Sequence, residues 1–291
     1  MTRLALSACF LIAIADAAAA QPKAETPLLP AGDHGMVLAT AMEVAPGKLK
    51  DTIKRSDTTN YVFRGKLITL NKERTIHMCF DTELMRVAGV WKGPYPGAMS
   101  DKNMGPTVEG TMLLQSPVMP GWARKGEWKD PREGAEGPLP ADWARYRGMY
   151  LDGDRVVLSY TVGGAAILES PSAEERDGAV IFHREMEVSS TKTPLEVKLP
   201  KSANVSAETR IEGPLEIDSD RWWRDRESYR FPVSGATVRI STICRLKINQ
   251  PLHVPNTHVI DVEKFTHGGP PRWNADLVTH GTRGKADKSP Y

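Results

Sequence analysis

The stretch Cys79 to Gly93, CFDTELMRVAGVWKG, sets Asp81 and Glu83 two residues apart and follows them with Arg86 and Trp91. Alternate residues of a strand share a face, so two carboxylates at this spacing can address one ligand. Glycoside chemistry needs such a pair, one acid and one base or nucleophile, flanking the sugar bond. Asp81, Glu83 and Arg86 are therefore the candidate catalytic residues. A competing reading treats the same stretch as strand, corner and strand. Asp81 then orders a turn by accepting bonds from backbone amides ahead of it, Arg86 is paired or exposed, and Trp91 closes the core.

Tryptophans supply a second chemistry, because aromatic faces stack on sugar rings. Seven are present, at positions 91, 122, 128, 143, 222, 223 and 273. Trp122, Trp128 and Trp143 fall in or beside long Gly/Pro-rich segments and are the candidate ligand-binding residues. The alternative for Trp91 and Trp143 is a core position with the indole N–H bonded internally.

Other chemistries lack their motifs. There is no Gly-x-Ser-x-Gly elbow, no phosphate-cradling Gly-x-x-x-x-Gly-Lys loop, no Cys-x-x-Cys-His haem attachment site and no His-Glu-x-x-His. His253, His258, His267 and His280 cluster late in the chain without a zinc or iron spacing, and LDGDR lacks the carboxylates of a calcium loop. No metal and no cofactor is expected.

The elements that must position these residues are strands. YVFRGKLITL, the turn NKER and TIHMCF form one hairpin, with Ile76, Met78 and Phe80 on one face and His77 and Cys79 on the other. ELMRVAGVW follows after Asp81-Thr82. In GMYLDGDRVVLSYTVGGAAILESP, Val156, Leu158, Tyr160 and Val162 alternate with smaller or polar residues between two Gly-marked hairpin turns. AVIFHREMEV and ATVRISTICRLKI continue the pattern, and DWARYRG suits one helical turn. Short strands with turns every ~8–12 residues predict an all-β, mostly antiparallel sandwich, of the large two-sheet kind, with long loops at 92–107 and 116–142.

Length and charge bound the rest. The 291 residues carry 38 basic and 36 acidic side chains, a formal net charge of +2. That balance offers no electrostatic reason for a nucleic-acid partner. MTRLALSACFLIAIADAAAAQ reads as a signal peptide (1–20), too short in its apolar run for a membrane span. LSAC arrives too early for a lipoprotein box, so anchoring at Cys9 is not expected. A leader (21–33), a β-sandwich (34–263) and a linker-like tail (264–291) follow. Export places the protein in the periplasm or outside the cell, where Cys79 and Cys244 form either a disulfide or two buried free thiols.

Three blocks, CFDTELMRVAGVWKG, GPLPADWARYRGMYLDGDRVVLSYTVGGAAILESP and GGPPRWNADLVTHGTRGKADKSPY, occur in this order in one family. The chain resembles the N-terminal domain of unknown function of large exported bacterial haem-binding, sorbosone-dehydrogenase-like proteins. In these the module leads into a quinoprotein β-propeller, often with a cytochrome c domain. The resemblance spans roughly residues 34–291 and transfers no catalytic residue. It implies the front module alone, stand-alone or from a truncated frame, with a propeller or cytochrome redox domain as partner.

The expectation is thus an exported, non-catalytic β module, a carbohydrate- or partner-binding accessory to a redox or sugar-dehydrogenase-type system. The alternatives are a mutarotase- or lyase-like enzyme using the concave face and a purely structural module.

Overall fold

Period-two alternation builds two six-stranded antiparallel sheets and one two-stranded ribbon. The structure, a computed structural model, describes residues 37–44, 60–96, 105–132, 137–203, 205–215, 228–246 and 261–266. The expected signal peptide, leader and most of the tail, with Cys9, Trp222, Trp223, Trp273 and the four late histidines, lie outside the described residues.

The first sheet runs β1 (Val37–Glu43), β2 (Tyr61–Thr69), β3 (Ile76–Asp81), β4 (Arg86–Lys92), β5 (Thr111–Gln115) and β11 (Lys201–Ser202). In the second, β12 (Ser206–Glu212) is followed by β14 (Ala236–Arg245), β9 (Ala179–Val188), β8 (Ala165–Arg176), β7 (Arg155–Val162) and β6 (Ala144–Asp152). The ribbon pairs β10 (Leu195–Lys198) with β13 (Ser228–Phe231).

The two sheets pack face to face as a sandwich. Ile76, Met78, Phe80 and Val90 of one meet Leu158, Tyr160, Phe182 and Ile240 of the other in one core, and the ribbon adds Leu195, Val197 and Phe231. The Phe80 and Tyr160 rings lie 5.6 Å apart across the interface. Each fully buried large apolar side chain contributes about 1.5–3 kcal/mol, so this interface dominates stability.

The first sheet is buried on its second face too. Met42, Val62, Leu67, Cys79, Ala88, Trp91 and Met112 form a separate cluster there, and every residue of β3 is buried. That two-sided burial explains why β3 reads Ile-His-Met-Cys-Phe-Asp, with little polar character on either face. His77 shares this face, and burial pushes its imidazole down to about 4.

Two expectations need correction. DWARYRG is strand from Ala144 onward: only its first residues lie in a single turn, in which the Trp143 and Ala144 amides both bond the Pro140 carbonyl, and pairing of Ala144 with Val162 then starts β6. The hairpin after β3 turns over four residues, Thr82–Met85, and Met85 takes a positive φ of 50° to close it. Of the two alternatives left open for Cys79 and Cys244, the structure has the free thiols and no disulfide. Both are free and buried, Cys79 in the second-face cluster and Cys244 in the core between the sheets.

Burial holds the Cys79 thiol well above its ordinary value and pushes Cys244 up to about 12. Thiolate is the reactive form. We expect iodoacetamide at about pH 8 to leave both cysteines unlabelled in the native protein and to label both in denaturant. Peptide mapping of the alkylated protein checks this, and native labelling at either position would contradict the assigned burial.

β6 is an edge strand. It bulges between Tyr146 and Gly148 and exposes Arg145 and Arg147. The segment 261–266 lies across the outer face of the second sheet. Glu187 accepts from the Val262 and Glu263 amides, and the Phe265 ring stacks on the Arg155 guanidinium at 4.4 Å.

Candidate functional site

The opening stretch is a scaffold knot. Asp81 Oδ1 accepts from the Glu83 and Leu84 amides at 3.0 and 3.2 Å, capping the turn, while Oδ2 accepts from Arg86 Nε at 3.1 Å. Arg86 continues with Nη1 to the Ser116 and Pro117 carbonyls and Nη2 to Asn60 Oδ1 at 2.8 Å. Asn60 Nδ2 in turn donates to the Ala88 and Ser116 carbonyls. Asp81, Arg86 and Asn60 are all buried. One guanidinium thus ties the turn, β4 and the 116–117 segment together, and its donors are engaged by protein acceptors.

Glu83 diverges from this knot. Its carboxylate lies 3.4 Å from Arg64 and 3.6 Å from Arg132. Burial, then the Asp81 charge, raises its pKa above the ordinary value against the pull of those arginines. The candidate trio is therefore split: Asp81 and Arg86 are inside, and Glu83 borders a groove.

The tryptophans are divided in the same way, which corrects their reading as a set of loop platforms. Trp122 is fully buried, 5.5 Å from the Phe231 ring and 6.2 Å from Tyr160. Trp143 is buried and its Nε1 donates to the Trp122 carbonyl at 2.9 Å. Residues 116–123 form a plug, stitched in place by Gly121 N to Leu84 O, Lys198 N to Gly121 O and Ala123 N to Glu196 O. A side chain at Gly121 would sit 2.2 Å from the Met85 carbonyl, so the plug seats only with glycine there. Trp128 alone of the three is partly accessible, with Lys198 Nζ 5.2 Å from its ring centre.

The groove lies in the open seam of the sandwich, where β6 stands opposite β1 and β2. It encloses about 780 Å³, in the range of small-ligand sites. Its walls include Phe63, Arg64 and Lys66 of β2, Glu83 of the turn, and Arg145 and Tyr146 of β6. Phe63 is 37% exposed and the Arg64 side chain 72%. Lys66 Nζ lies 5.7 Å from the Tyr146 ring centre. Burial lowers the Lys66 pKa and raises that of the Tyr146 phenol. The Tyr146 hydroxyl is buried without a hydrogen-bond partner.

Sequence reasoning missed these groove residues, although one signal was present. Lys66 shares its strand face with Ile68, a core residue, and a cation in an otherwise inward-facing row marks the point where the two sheets part.

Two further polar groups were not foreseen. Within the core, Arg184 Nε and Nη2 donate to Glu169 at 2.6 and 3.0 Å, and the Tyr160 hydroxyl donates to the same carboxylate at 2.6 Å. On the outer face of the second sheet, His183 Nδ1 lies 2.8 Å from Ser241 Oγ and Nε2 3.8 Å from Glu174. Burial, then Arg239 and Arg176, push that imidazole down to about 3, so it is neutral at physiological pH. Ser241 and His183 are buried on neighbouring strands and do not line the groove, which denies them the access that nucleophilic catalysis needs.

No group of three or more potential metal ligands occurs among the described residues. None of their helices is long and apolar enough to cross a membrane.

Fold and site together define an all-β two-sheet sandwich with a cation-lined seam. A family model described as a domain of unknown function, DUF6797, matches residues 78–169. The match spans most of β3, Asp81 and Arg86 of the scaffold knot, the plug, β6 and β7, and ends within β8; Asn60 of the knot, and β1 and β2, the other wall of the groove, fall outside it. No curated protein and no solved structure matches the chain.

Proposed function

We propose that this chain is an exported, non-catalytic β module that binds carbohydrate in the seam groove, as an accessory to a redox or sugar-dehydrogenase-type system. The observation that carries the reading is the seam itself. Aromatic side chains from both sheets, Phe63 and Tyr146, border one open space together with cations and the Glu83 carboxylate. An aromatic ring beside polar groups that converge on a groove is a common way to hold a sugar, the ring packing on its apolar face and the polar groups bonding its hydroxyls.

The disposition of the other candidates supports binding over hydrolysis. Hydrolysis of a glycosidic bond needs two carboxyl groups across the ring, and Glu83 is the one carboxylate bordering this groove. The signal-peptide reading of residues 1–20 supports export, and the family resemblance supports a redox partner.

A glycan array probed with the mature protein and with Phe63→Ala tests the reading. Phe63 is partly exposed, so its truncation leaves the core intact. Binding by the parent, weakened about tenfold in the variant, is the expected result, consistent with a stacking contribution of order 1 kcal/mol or more. No glycan bound, or full binding by Phe63→Ala, overturns it.

A further inference from the structure

We propose that the sugar held in the seam carries a carboxylate, and that Lys66 and the Tyr146 hydroxyl are the pair that binds it. This rests on the carbohydrate reading above and names its chemical class.

The charges in the groove are unbalanced. Arg64, Lys66 and Arg145 border it against one carboxylate, Glu83. Glu83 is already committed, with Arg64 on one side and the buried Arg132 on the other. Lys66 and Arg145 have no carboxylate partner among the described residues. Lys66 is also half-buried, and a cation withdrawn from water without a counter-ion is costly unless something completes the site.

Tyr146 shows the same incompleteness from the opposite wall. Its hydroxyl is shielded from water and has no acceptor among the described residues, and buried polar groups are nearly always bonded. The Lys66 ammonium and the Tyr146 hydroxyl are both donors on neighbouring side chains. One carboxylate, with two acceptor oxygens, satisfies both. A neutral sugar hydroxyl can accept from one of them while leaving the lysine charge uncompensated.

Arg145, next along β6, and Arg64, across the groove, extend the positive field toward solvent. A chain of uronate units therefore meets cations beyond the first carboxylate, while Phe63 offers an apolar face to a sugar ring. An acidic peptide supplies carboxylates without the rings.

Calorimetric titration of the mature protein with oligogalacturonate, its methyl ester and polyglutamate of matched length distinguishes the outcomes. Oligogalacturonate is expected to bind, with affinity falling as salt rises. Methyl esterification should weaken it at least about tenfold, the size expected for losing a hydrogen-bonded charge pair. Lys66→Met should weaken it similarly, Lys66→Arg should retain most of it, and Tyr146→Phe should cost about three- to tenfold. Thermal melts of the three variants that match the parent establish that the fold is unchanged.

Equal binding of acid and ester, with Phe63→Ala still weakening both, overturns the carboxylate inference and leaves the carbohydrate reading standing. Failure of both sugars to bind overturns the two together. Polyglutamate binding as tightly as oligogalacturonate overturns the sugar in favour of an acidic peptide.

Discussion

Arg184→Met is expected to cost the fold about 3–5 kcal/mol, seen as a drop of ~10 °C or more in the thermal midpoint. Arg184 and Glu169 are both buried, paired through two hydrogen bonds in the core between the sheets, and Tyr160 donates a third bond to the carboxylate. Removing the guanidinium leaves a carboxylate buried with one donor. Removing the whole polar set is a different perturbation. Arg184→Met with Glu169→Leu and Tyr160→Phe should recover most of the lost stability, because apolar side chains of similar volume escape the desolvation cost that the ion pair bears. Arg184 Nη1 finds no acceptor, so the native pair is itself incompletely satisfied.

Denaturant titrations of parent, single and triple variants check the set. A harmless single variant, or a triple variant as unstable as the single, would show that the buried pair does not behave this way.

The second large effect is at Arg86. Arg86→Met should destabilise by about 3–5 kcal/mol, since Asp81 Oδ2, Asn60 Oδ1 and the Ser116 and Pro117 carbonyls all lose a buried donor. Arg86→Lys should recover only part, because an ammonium on a flexible stem cannot reproduce the planar fork. Glu83→Gln, buried at the groove margin, should cost about 1–2 kcal/mol, less than either Arg86 variant, because the amide keeps the shape and Arg132 keeps its pair with Asp130. Chemical denaturation ranks the three. A scaffold role requires the order Met, Lys, Gln from most to least damaging, and Glu83→Gln falling below either Arg86 variant would refute it.

The strands were legible because apolar periodicity is a local property. Ile76, Met78 and Phe80 share a face in the sequence and in the core, as do Val238, Ile240 and Cys244. The turn at Asp81 was legible for the same reason, since an aspartate capping the amides just ahead of it needs no distant partner. Its length was not, because a positive φ at Met85 is a demand of closure that side-chain type does not announce.

The candidate site was mostly illegible. Whether Trp122 faces solvent or core depends on how residues 116–123 seat against the turn after β3 and the ribbon, and those contacts are long-range. The expectation of export made a Cys79–Cys244 bridge plausible, yet the two cysteines lie in clusters on opposite faces of the first sheet, a fact of sheet stacking rather than of spacing. Lys66 and Tyr146 meet only because β2, second strand of the first sheet, and β6, the edge of the second, come together across the seam although they are far apart along the chain.

The edge strand β6 has a consequence for how the molecule behaves in a crowd. An unpaired strand edge is a template for self-association, and chains that keep such an edge commonly blunt it with charge and kinks. Arg145 and Arg147 supply the charge, and the bulge before Gly148 breaks the flat run that another copy would need to zip onto. Arg145, which also lines the groove, thus serves colloidal solubility as well, so its replacement by a neutral residue would unguard the edge and raise the risk of aggregation.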